Sequence, residues 1–327
     1  MSSDVYASDP WFPSQKNAFT VFSVLTHKCN QKCLHCFATN CFPEKPLLDQ
    51  EWLRLIDQLT YFEAPRLFFT GGEPLVHPSI YKLIAYATNK SIPTILGTNA
   101  TLVNQSVSRK LVDSGLKEAR VSLDGANKKS HDLLRGEGSY DKTVLGIQTL
   151  INAGITISIR TTINKLNFEE VFEIGKLISS MNIQNWEIKN IIPSGRALEH
   201  PELLTTKTER SIALESLIKI YSQKLFPDIN IKLMEGTLNN SIDLPDGIKV
   251  ACCPAGRSMV LVQPNGDIIP CGYLSSNVLG NIRRDYIMEV IKKHKEINNR
   301  IVPPKCQNCK HFYMCKGGCP AYSFCDN

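Results

Sequence analysis

The sequence contains no long hydrophobic run and no dense block of charges of one sign. In 327 residues, no apolar stretch approaches the roughly 20 residues that a membrane-spanning helix requires. Lys and Arg total 37 against 31 for Asp and Glu, and they are spread along the chain, unlike the basic patch of a nucleic-acid-binding protein. The N-terminal MSSDVYASDPWFPSQK lacks the basic and apolar regions of a signal peptide. We therefore expect a cytoplasmic protein with neither nucleic acid nor membrane as a partner.

Cysteine is absent from the middle 210 residues, although the whole chain contains 12. The cysteines are confined to two groups, one of four near the N-terminus and one of eight between Cys252 and Cys325. A disulfide framework is typical of small secreted chains, and this chain is long and has no signal peptide. The clustering instead indicates metal or iron–sulfur ligation.

Between residues 19 and 225, short β-rich runs alternate with longer amphipathic segments, which predicts an α/β fold. The predicted strands are Phe19–Leu25, Arg66–Thr70, Pro93–Gly97, Glu118–Leu123, Thr156–Thr162 and Trp186–Ile192. The predicted helices between them are Leu48–Tyr61, Ser79–Thr88, Gln105–Asp113, Tyr140–Asn152 and Phe168–Ser180, with Asp49, Ser79 and Asn167 as candidate N-caps. Six such units predict a parallel sheet with right-handed crossovers. Either a partial barrel or a doubly wound sheet satisfies this pattern.

The remaining chain predicts a different organisation. Thr208–Leu225 has the pattern of a long helix, residues 226–250 that of a linker, and residues 1–18 form an N-terminal extension. The Asn-Gly pair at 265–266 predicts a β-hairpin, and Arg284–Asn298 one more helix. The last 22 residues hold five cysteines and little else that is hydrophobic. We expect metal to hold this tail together, because it cannot build a core of its own.

The first cysteine group has the spacing Cys29-x3-Cys33-x2-Cys36 and follows the first predicted strand. Loops at the carboxyl ends of parallel strands are where such sheets place their active sites. Three closely spaced thiolates suit a [4Fe–4S] cluster with one iron left open for a small molecule. The alternative is a structural zinc site, which needs a fourth ligand. The candidates for that fourth ligand are His27, His35 and Cys41.

This spacing, followed by Gly71-Gly72-Glu73-Pro74 after the second predicted strand, resembles the radical S-adenosylmethionine (SAM) superfamily. The resemblance covers residues 19–225. It implies a partial (β/α)6 TIM-type barrel with a [4Fe–4S] cluster on Cys29, Cys33 and Cys36, whose open iron binds SAM. Reductive cleavage of SAM then yields a 5′-deoxyadenosyl radical that abstracts a substrate hydrogen. In such enzymes the protein orients and shields the cofactor, which carries the difficult chemistry.

The resemblance also implies which residues contact SAM. The Gly71-Gly72-Glu73 motif lies near the SAM amino group, where backbone without side chains is needed. Arg135 corresponds to an arginine that pairs with the SAM carboxylate through its forked guanidinium. The other implied contacts are His35 near the adenine, Ser122 and Asp124 near the ribose and carboxylate, and the weaker candidates Arg160 and Ile192. The alternative for Arg135 and Arg160 is an ion pair inside the barrel. The role of Asn99 stays open, since Ala100 stands where the family often has glycine.

The second cysteine group resembles the SPASM domain, which follows the barrel in some radical SAM enzymes. Its blocks are Cys253-x12-Gly266-x4-Cys271, then Cys306-x2-Cys309-x5-Cys315-x3-Cys319, and Cys325. The resemblance assigns residues 251–327 to this domain and implies two auxiliary [4Fe–4S] clusters, or three clusters in all. The first would be held by Cys253, Cys271 and Cys319, and the second by Cys306, Cys309, Cys315 and Cys325. Gly272 stands where anaerobic sulfatase maturases have a catalytic Asp, which argues against that activity.

Two cysteines fall outside these ligand sets. Cys252 is adjacent to Cys253, and neighbouring residues in an extended segment point to opposite faces. Three roles stay open for Cys252: a fourth cluster ligand, a hydrogen-atom donor that quenches a substrate radical, or a packed thiol. For Cys41 we expect packing as a small hydrophobe.

The resemblance leaves several functions open. The first is modification of a ribosomal peptide by cross-linking, thioether formation or epimerisation, with flavodoxin or ferredoxin as electron donor. Against this function, residues 1–18 are too few for a leader-recognition domain. The second is a radical dehydrogenase or epimerase of a sugar, aminocyclitol or other small metabolite, which the compact length favours. A tetrapyrrole side chain is a further substrate. A non-catalytic iron–sulfur carrier would not need the Gly71-Gly72-Glu73 motif.

Overall fold

The computed structural model describes residues 19–38, 45–234, 244–245, 248–250, 253–256, 258–297, 319 and 321. Within these ranges the strands are β1 Phe19–Val24, β2 Pro65–Thr70, β3 Thr94–Thr98, β4 Glu118–Ser122, β5 Thr156–Ile163, β6 Asn185–Asn190, β7 Asn230–Leu233, β8 Lys249–Val250, β9 Met259–Val262, β10 Asp267–Ile269 and β11 Gly280–Asn281. The helices are α1 Asp49–Leu59, α2 Ile80–Asn89, α3 Gln105–Asp113, α4 Lys128–Arg135, α5 Ser139–Asn152, α6 Val171–Ser180, α7 Lys207–Ser222 and α8 Ile287–Ile297. None of these helices has the length and apolar character needed to cross a membrane.

The described strands form one sheet in which β1 to β8 follow one another in chain order. Each of these eight strands runs parallel to its neighbour. A doubly wound sheet reverses its strand order at a switch point, and no reversal occurs between β1 and β8. The consecutive order therefore selects the partial-barrel alternative, with the loops that follow the strands gathered at one end.

The segment assigned to a linker, residues 226–250, instead contributes two strands. β7 pairs with β6, and β8 extends the sheet beyond β7. Both strands are short, with four and two residues, and their surrounding turn residues concealed them in the sequence. The barrel sheet therefore continues past residue 225.

The structure makes three further corrections to the predicted helices. Asp49 is the first residue of α1 and not its N-cap, which is Leu48. The α4 helix, KKSHDLLR, was missed because it is short and mostly polar; the Asn127 side chain caps it by accepting from the backbone N–H groups of residues 129 and 130. Asn167 is not the N-cap of α6, which begins at Val171. Its side-chain amide instead donates to the backbone carbonyls of Asp124 and Thr162, so it ties the ends of two barrel strands together.

The C-terminal part begins as an extension of the same sheet. β9 runs parallel to β1 on the side away from β2, and β10 returns antiparallel to β9. Gly266 turns the hairpin with a φ of +89°, a left-handed conformation that glycine adopts without strain. The hairpin predicted from Asn265-Gly266 is confirmed, and its pairing with β1 places it beside the strand that leads into the first cysteines.

Alternation along the strands divides the sheet into two faces. One face packs against the helices and holds the main hydrophobic core, which includes Trp186 on β6 and Trp52 on α1, each only 0–2% exposed. The other face lines the barrel interior. It carries aromatic and aliphatic side chains on β1, β2 and β9, the buried Arg66 near the start of β2, and a group of charged side chains on β4 to β7.

Candidate active site

The first three cysteines lie on the loop that follows β1, at the carboxyl end of the barrel strands. Cys33 is buried, Cys36 is half-buried and Cys29 is exposed. The backbone N–H of Cys36 donates to the carbonyl of Cys33 at 3.3 Å, so the Cys-x2-Cys segment forms a tight turn. The three thiols are near enough to influence one another electrostatically. The structure thus brings the predicted trio together at the expected end of the barrel.

Gly71 and Gly72 hold this loop against the end of β2. The backbone N–H of Gly72 donates to the Thr26 carbonyl at 2.7 Å, and that of Glu73 donates to the Lys28 carbonyl at 3.0 Å. A Cβ on Gly71 would lie 2.3 Å from the Thr26 oxygen, and one on Gly72 would lie 2.3 Å from the Lys28 oxygen. Side chains are therefore excluded at both positions because the backbone leading to Cys29 occupies the space.

Glu73 is completely buried and anchors the next strand to this motif. Its carboxylate accepts from the Thr98 hydroxyl at 2.8 Å and from the backbone N–H groups of Leu75 and Asn99 at 3.1 and 2.8 Å. Burial raises the pKa of Glu73 to about 7, although the hydrogen bonds act in the opposite direction. Within the described residues its contacts are structural: Glu73 joins the ends of β2 and β3 beneath the cysteine loop.

Asn99, whose role the sequence left open, contacts the cysteine loop directly. Its side-chain amide donates to the Asn30 side chain at 3.0 Å and lies 4.0 Å from the Cys29 sulfur. The next residue, Ala100, has a φ of +59°. Glycine adopts this left-handed conformation more readily than alanine does, and the conformation turns the chain so that Asn99 meets the loop.

Asp124 and Arg135 form a buried ion pair beside Cys33. The Arg135 Nε and Nη2 atoms donate to Asp124 Oδ2 at 2.7 and 2.6 Å, and Nη1 lies 4.0 Å from the Cys33 sulfur. The other carboxylate oxygen accepts from the Thr162 backbone N–H at 2.6 Å. Burial alone would raise the pKa of Asp124, but Arg135 and the other partners hold it below its ordinary value. The barrel-interior ion pair considered for Arg135 is therefore present, between two residues that were each predicted to contact SAM.

His35 is neutral at this site. Burial, helped by the neighbouring cations Arg135 and Lys189, lowers the pKa of His35 to about 3 against the opposing effect of Asp124. Its Nε2 atom lies 3.5 Å from Asp124 Oδ2, while buried Nδ1 has no hydrogen-bond partner among the described residues. A buried ring nitrogen without a partner is costly, and a polar group of a bound cofactor would satisfy it.

The donor set of three thiols fits an iron–sulfur cluster. In the part of the chain that the structure describes, no three Cys, His, Asp or Glu side chains converge as ligands of one ion. The three cysteines of a [4Fe–4S] cluster surround one cluster, but each binds a different iron, so they do not meet at a single ion. Burial raises the pKa of Cys29 to about 11 and also raises that of Cys33, where Arg135 opposes the effect. Ligation requires the thiolate, and the positive charge of Arg135 would favour the thiolate form of Cys33.

The segment after β6 packs onto the same cysteine loop. The backbone N–H of Arg196 donates to the Cys36 carbonyl at 2.9 Å. Gly195 has a φ of +60°, and a Cβ there would lie 2.5 Å from the same carbonyl oxygen. Arg196 also acts electrostatically on Cys33. Arg196 was not predicted from the sequence, in which the only signal was its place in the segment IIPSGRA, residues 191–197.

Part of the second cysteine group lies close to the barrel mouth. Cys253 and Cys319 are buried and Cys271 is half-buried. Cys319 packs with Ile192, at the end of β6, and Ala321, and Tyr273 lies against this small cluster. Cys252 and Cys41 lie outside the described residues, as do Cys306, Cys309, Cys315 and Cys325. The structure therefore places Ile192 between the barrel and Cys319.

Charged side chains inside the barrel form a feature that the sequence analysis largely missed. Glu187 on β6 pairs with Arg160 on β5 at 2.6 Å and with Arg120 on β4 at 3.0 Å, so Arg160 has an ion-pair partner of the kind considered for it. Two residues further along β6, Lys189 donates to the Tyr273 hydroxyl at 2.9 Å. Its Nζ lies 5.9 Å from the centre of the Phe37 ring. The sequence signal for this charged group was the alternation of Glu187 and Lys189 with Ile188 within an otherwise buried strand.

Comparisons with known proteins agree with this geometry. A profile of the radical SAM superfamily matches residues 23–178. A profile of the SPASM iron–sulfur cluster-binding domain matches residues 252–311. The two matches cover the β1 loop with its three cysteines and the segment that begins at Cys252.

Two curated relatives extend over most of the chain. An AdoMet-dependent heme synthase of Methanosarcina barkeri is 28% identical over 323 residues, covering 92% of this chain and 90% of the relative. The mycofactocin maturase MftC of Mycolicibacterium smegmatis is 28% identical over 309 residues, covering 92% of this chain and 77% of the relative. Among solved structures, Streptococcus suis SuiB bound to precursor peptide SuiA has a TM-score of 0.74 at 20% identity, covering 95% of this chain and 73% of SuiB.

Proposed function

Because this chain belongs to the radical SAM superfamily and carries a C-terminal SPASM domain, we propose that it cleaves SAM reductively and modifies a peptide. The 5′-deoxyadenosyl radical would remove a hydrogen atom from the substrate. The product would be a cross-link, a thioether or an epimerised residue of a ribosomally made peptide.

The observation that carries this proposal is the position of the cysteine loop. The glycine motif at the end of β2 holds the loop through backbone hydrogen bonds, and the ion pair of Asp124 with Arg135 lies beneath Cys33. This arrangement supports a [4Fe–4S] cluster on Cys29, Cys33 and Cys36 at the barrel mouth. When bound, the cluster supplies the electron that cleaves SAM. The surrounding barrel wall would then shield the reactive species from water.

The chain's own residues would position SAM and limit the charge at the site. Gly71 and Gly72 would offer backbone to the SAM amino group, and neutral His35 would lie at the adenine. Arg135 is held rigid by Asp124, so its remaining N–H groups would meet the SAM carboxylate in a preset orientation. Ser122, Ile192 and Glu73 complete the proposed SAM site, with Glu73 acting through the strand ends that it joins.

The second cysteine group would hold two auxiliary clusters, giving three in all. Cys253, Cys271 and Cys319 would bind the nearer one; the packing of Cys319 against Ile192 and Tyr273 supports its position by the barrel mouth. Such a cluster would exchange electrons with the substrate radical, and a flavodoxin or ferredoxin would supply the first electron. For Cys252 the three roles of ligand, hydrogen-atom donor and packed thiol stay open.

Peptide modification is supported by the fold, because SuiB, which has the same fold, was solved with a precursor peptide bound. One curated relative is also named a maturase. The second candidate substrate is a tetrapyrrole side chain. It is favoured by the heme synthase of Methanosarcina barkeri, which aligns with this chain over 90% of its own length.

The test is anaerobic reconstitution with SAM and a reductant, followed by measurement of 5′-deoxyadenosine. We expect the product to form, and we expect a triple Cys29→Ala, Cys33→Ala, Cys36→Ala variant to form none. The triple variant should also lose about four irons, the content of one cluster, while keeping the others. If the triple variant still makes 5′-deoxyadenosine, the catalytic cluster is assigned wrongly. If the intact chain makes none, a non-catalytic iron–sulfur protein becomes the better description.

A further inference from the structure

The barrel interior below the cysteine loop is divided into an apolar side and a cationic side. On the apolar side, the rings of Phe22 on β1 and Phe68 on β2 stack with their centroids 4.5 Å apart. Val24, Leu261 and Ile269 pack next to them. Val24, Phe68, Leu261 and Ile269 are buried. Phe22 is partly exposed, so its ring is the part of this apolar side that a substrate would reach.

Gly97 on β3 makes room for this surface. A Cβ at position 97 would lie only 2.4 Å from the Phe68 ring, so any larger residue would move the ring. The Arg120 guanidinium lies 4.9 Å from the centre of the same ring and also reaches Glu187 on β6. Arg120 therefore marks the border between the apolar and the cationic side.

The cationic side is formed by β4 to β7. Glu187 is nearly inaccessible, with 2% of its side chain exposed, and pairs with Arg120 and Arg160. The third cation near this carboxylate is Lys232 on β7, and together the three hold the pKa of Glu187 well below its ordinary value. Three cations around one carboxylate give this side of the barrel a positive potential.

Two cations lie where a ligand would reach them. The side chain of Arg160 is 26% exposed and that of Lys189 is partly exposed. Lys189 lies on the same face of β6 as Glu187, one step closer to the cysteine loop, and contacts Phe37, the residue after Cys36. A group held by Lys189 and Arg160 would therefore lie close to the proposed catalytic cluster.

We propose that Lys189 and Arg160 bind a carboxylate of the substrate while its apolar body lies against the Phe22 ring, which is stacked on Phe68. This inference rests on the proposed radical SAM function and narrows the substrate to a molecule with an apolar portion and a carboxylate. An acidic residue of a peptide or an acidic side chain of a tetrapyrrole would supply that group. Ammonium and guanidinium groups in a partly desolvated site bind carboxylates through strong charge-assisted hydrogen bonds.

The experiment uses the reconstituted chain with SAM and two matched probe pairs. The first pair is an iron porphyrin with four carboxylates and its tetramethyl ester, whose binding is measured from the shift of the porphyrin absorption. The second pair is a short Phe-rich peptide with one Glu and the same peptide with Gln in its place, whose binding is measured by equilibrium dialysis. We expect the chain to bind the acid form of at least one pair about tenfold more tightly, the effect of one charge-assisted hydrogen bond.

Variants connect that preference to the named residue. Lys189→Gln should reduce the preference for the acid form to about twofold, whereas Lys189→Arg should retain most of it. Lys142→Gln, on the exposed surface of α5, removes an equal charge outside the barrel and should change nothing. As a check that needs no variant, the preference of the unaltered chain should weaken when salt is raised.

The possible outcomes separate the sources of the carboxylate and the two levels of the proposal. A preference confined to the peptide pair indicates a peptide substrate, and one confined to the porphyrin pair indicates a tetrapyrrole. Three results would overturn the inference. They are equal affinity or no binding for both probe pairs, a preference for the acid form that Lys189→Gln leaves unchanged, and full displacement of the probe by inorganic phosphate. Failure to form 5′-deoxyadenosine would instead overturn the proposed function.

Discussion

Replacing Gly72 by alanine should displace the cysteine loop without unfolding the barrel. The added Cβ would lie 2.3 Å from the Lys28 carbonyl oxygen and 2.6 Å from that of His27, whereas ordinary contact begins at 3.4 Å. Both neighbours are backbone, so no side chain can rotate away. The loop that leads to Cys29 would have to move by about 1 Å, and overpacking of this kind costs about 1–3 kcal/mol.

The matched control is Gly154→Ala at the C-terminal end of α5, at the opposite end of the barrel. Gly154 has a φ of +82°, and a Cβ there would meet nothing within 4 Å. An alanine at Gly154 is therefore strained by its backbone conformation alone, at a cost of about 1–2 kcal/mol. The two variants should lose similar stability and differ only in whether the cysteine loop moves.

The assay compares both variants for thermal unfolding, iron content and the rate of 5′-deoxyadenosine formation. A displacement of about 1 Å at a reacting centre lowers rates by about 100-fold, so we expect that loss for Gly72→Ala. Gly154→Ala should keep the rate of the unaltered chain. If Gly72→Ala forms 5′-deoxyadenosine as fast as Gly154→Ala, close packing at Gly72 does not position the cluster and the reasoning fails.

Three further measurements test other parts of the site. Burial raises the pKa of Glu73 from 4.5 to about 7. The contribution of Glu73 to stability is therefore fully present below about pH 4.5 and is lost as the pH rises through about 7. The Glu73→Gln variant should lose this pH dependence of thermal unfolding, and an unchanged pH profile would contradict the reasoning. Asp124→Asn should lower the free energy of chemical unfolding by about 3–5 kcal/mol. The double variant Asp124→Asn, Arg135→Gln should lose less stability than the sum of the two single variants, and strict additivity would disprove the coupling. Cys252→Ala, assayed in deuterated water once a substrate is known, should lose iron if Cys252 is a ligand and should give an unquenched product if it is a hydrogen-atom donor; no change in either would leave only packing.

The parts of the protein that could be predicted from the sequence are those encoded over short distances along the chain. The spacing of Cys29, Cys33 and Cys36 and the glycine motif that begins at Gly71 were sufficient to indicate the radical SAM family. The six predicted strands were also confirmed, because parallel strands buried on both faces form recognisable apolar runs. The short strands β7 and β8 and the polar helix α4 lack such runs, and they were found only in the structure.

What only the tertiary structure decided depends on contacts between distant segments. Periodicity shows that Glu187 and Lys189 share one face of β6, but it does not show that Arg120 and Arg160 meet that face. Likewise, the pairing of Asp124 with Arg135 could not be inferred, since each residue alone matched a cofactor contact. Strand order and register determine which of these side chains lie next to one another, and register follows from how the whole sheet packs. The sequence therefore indicated the family and predicted the cluster ligands, while strand order and register determined which charged side chains meet in the barrel interior.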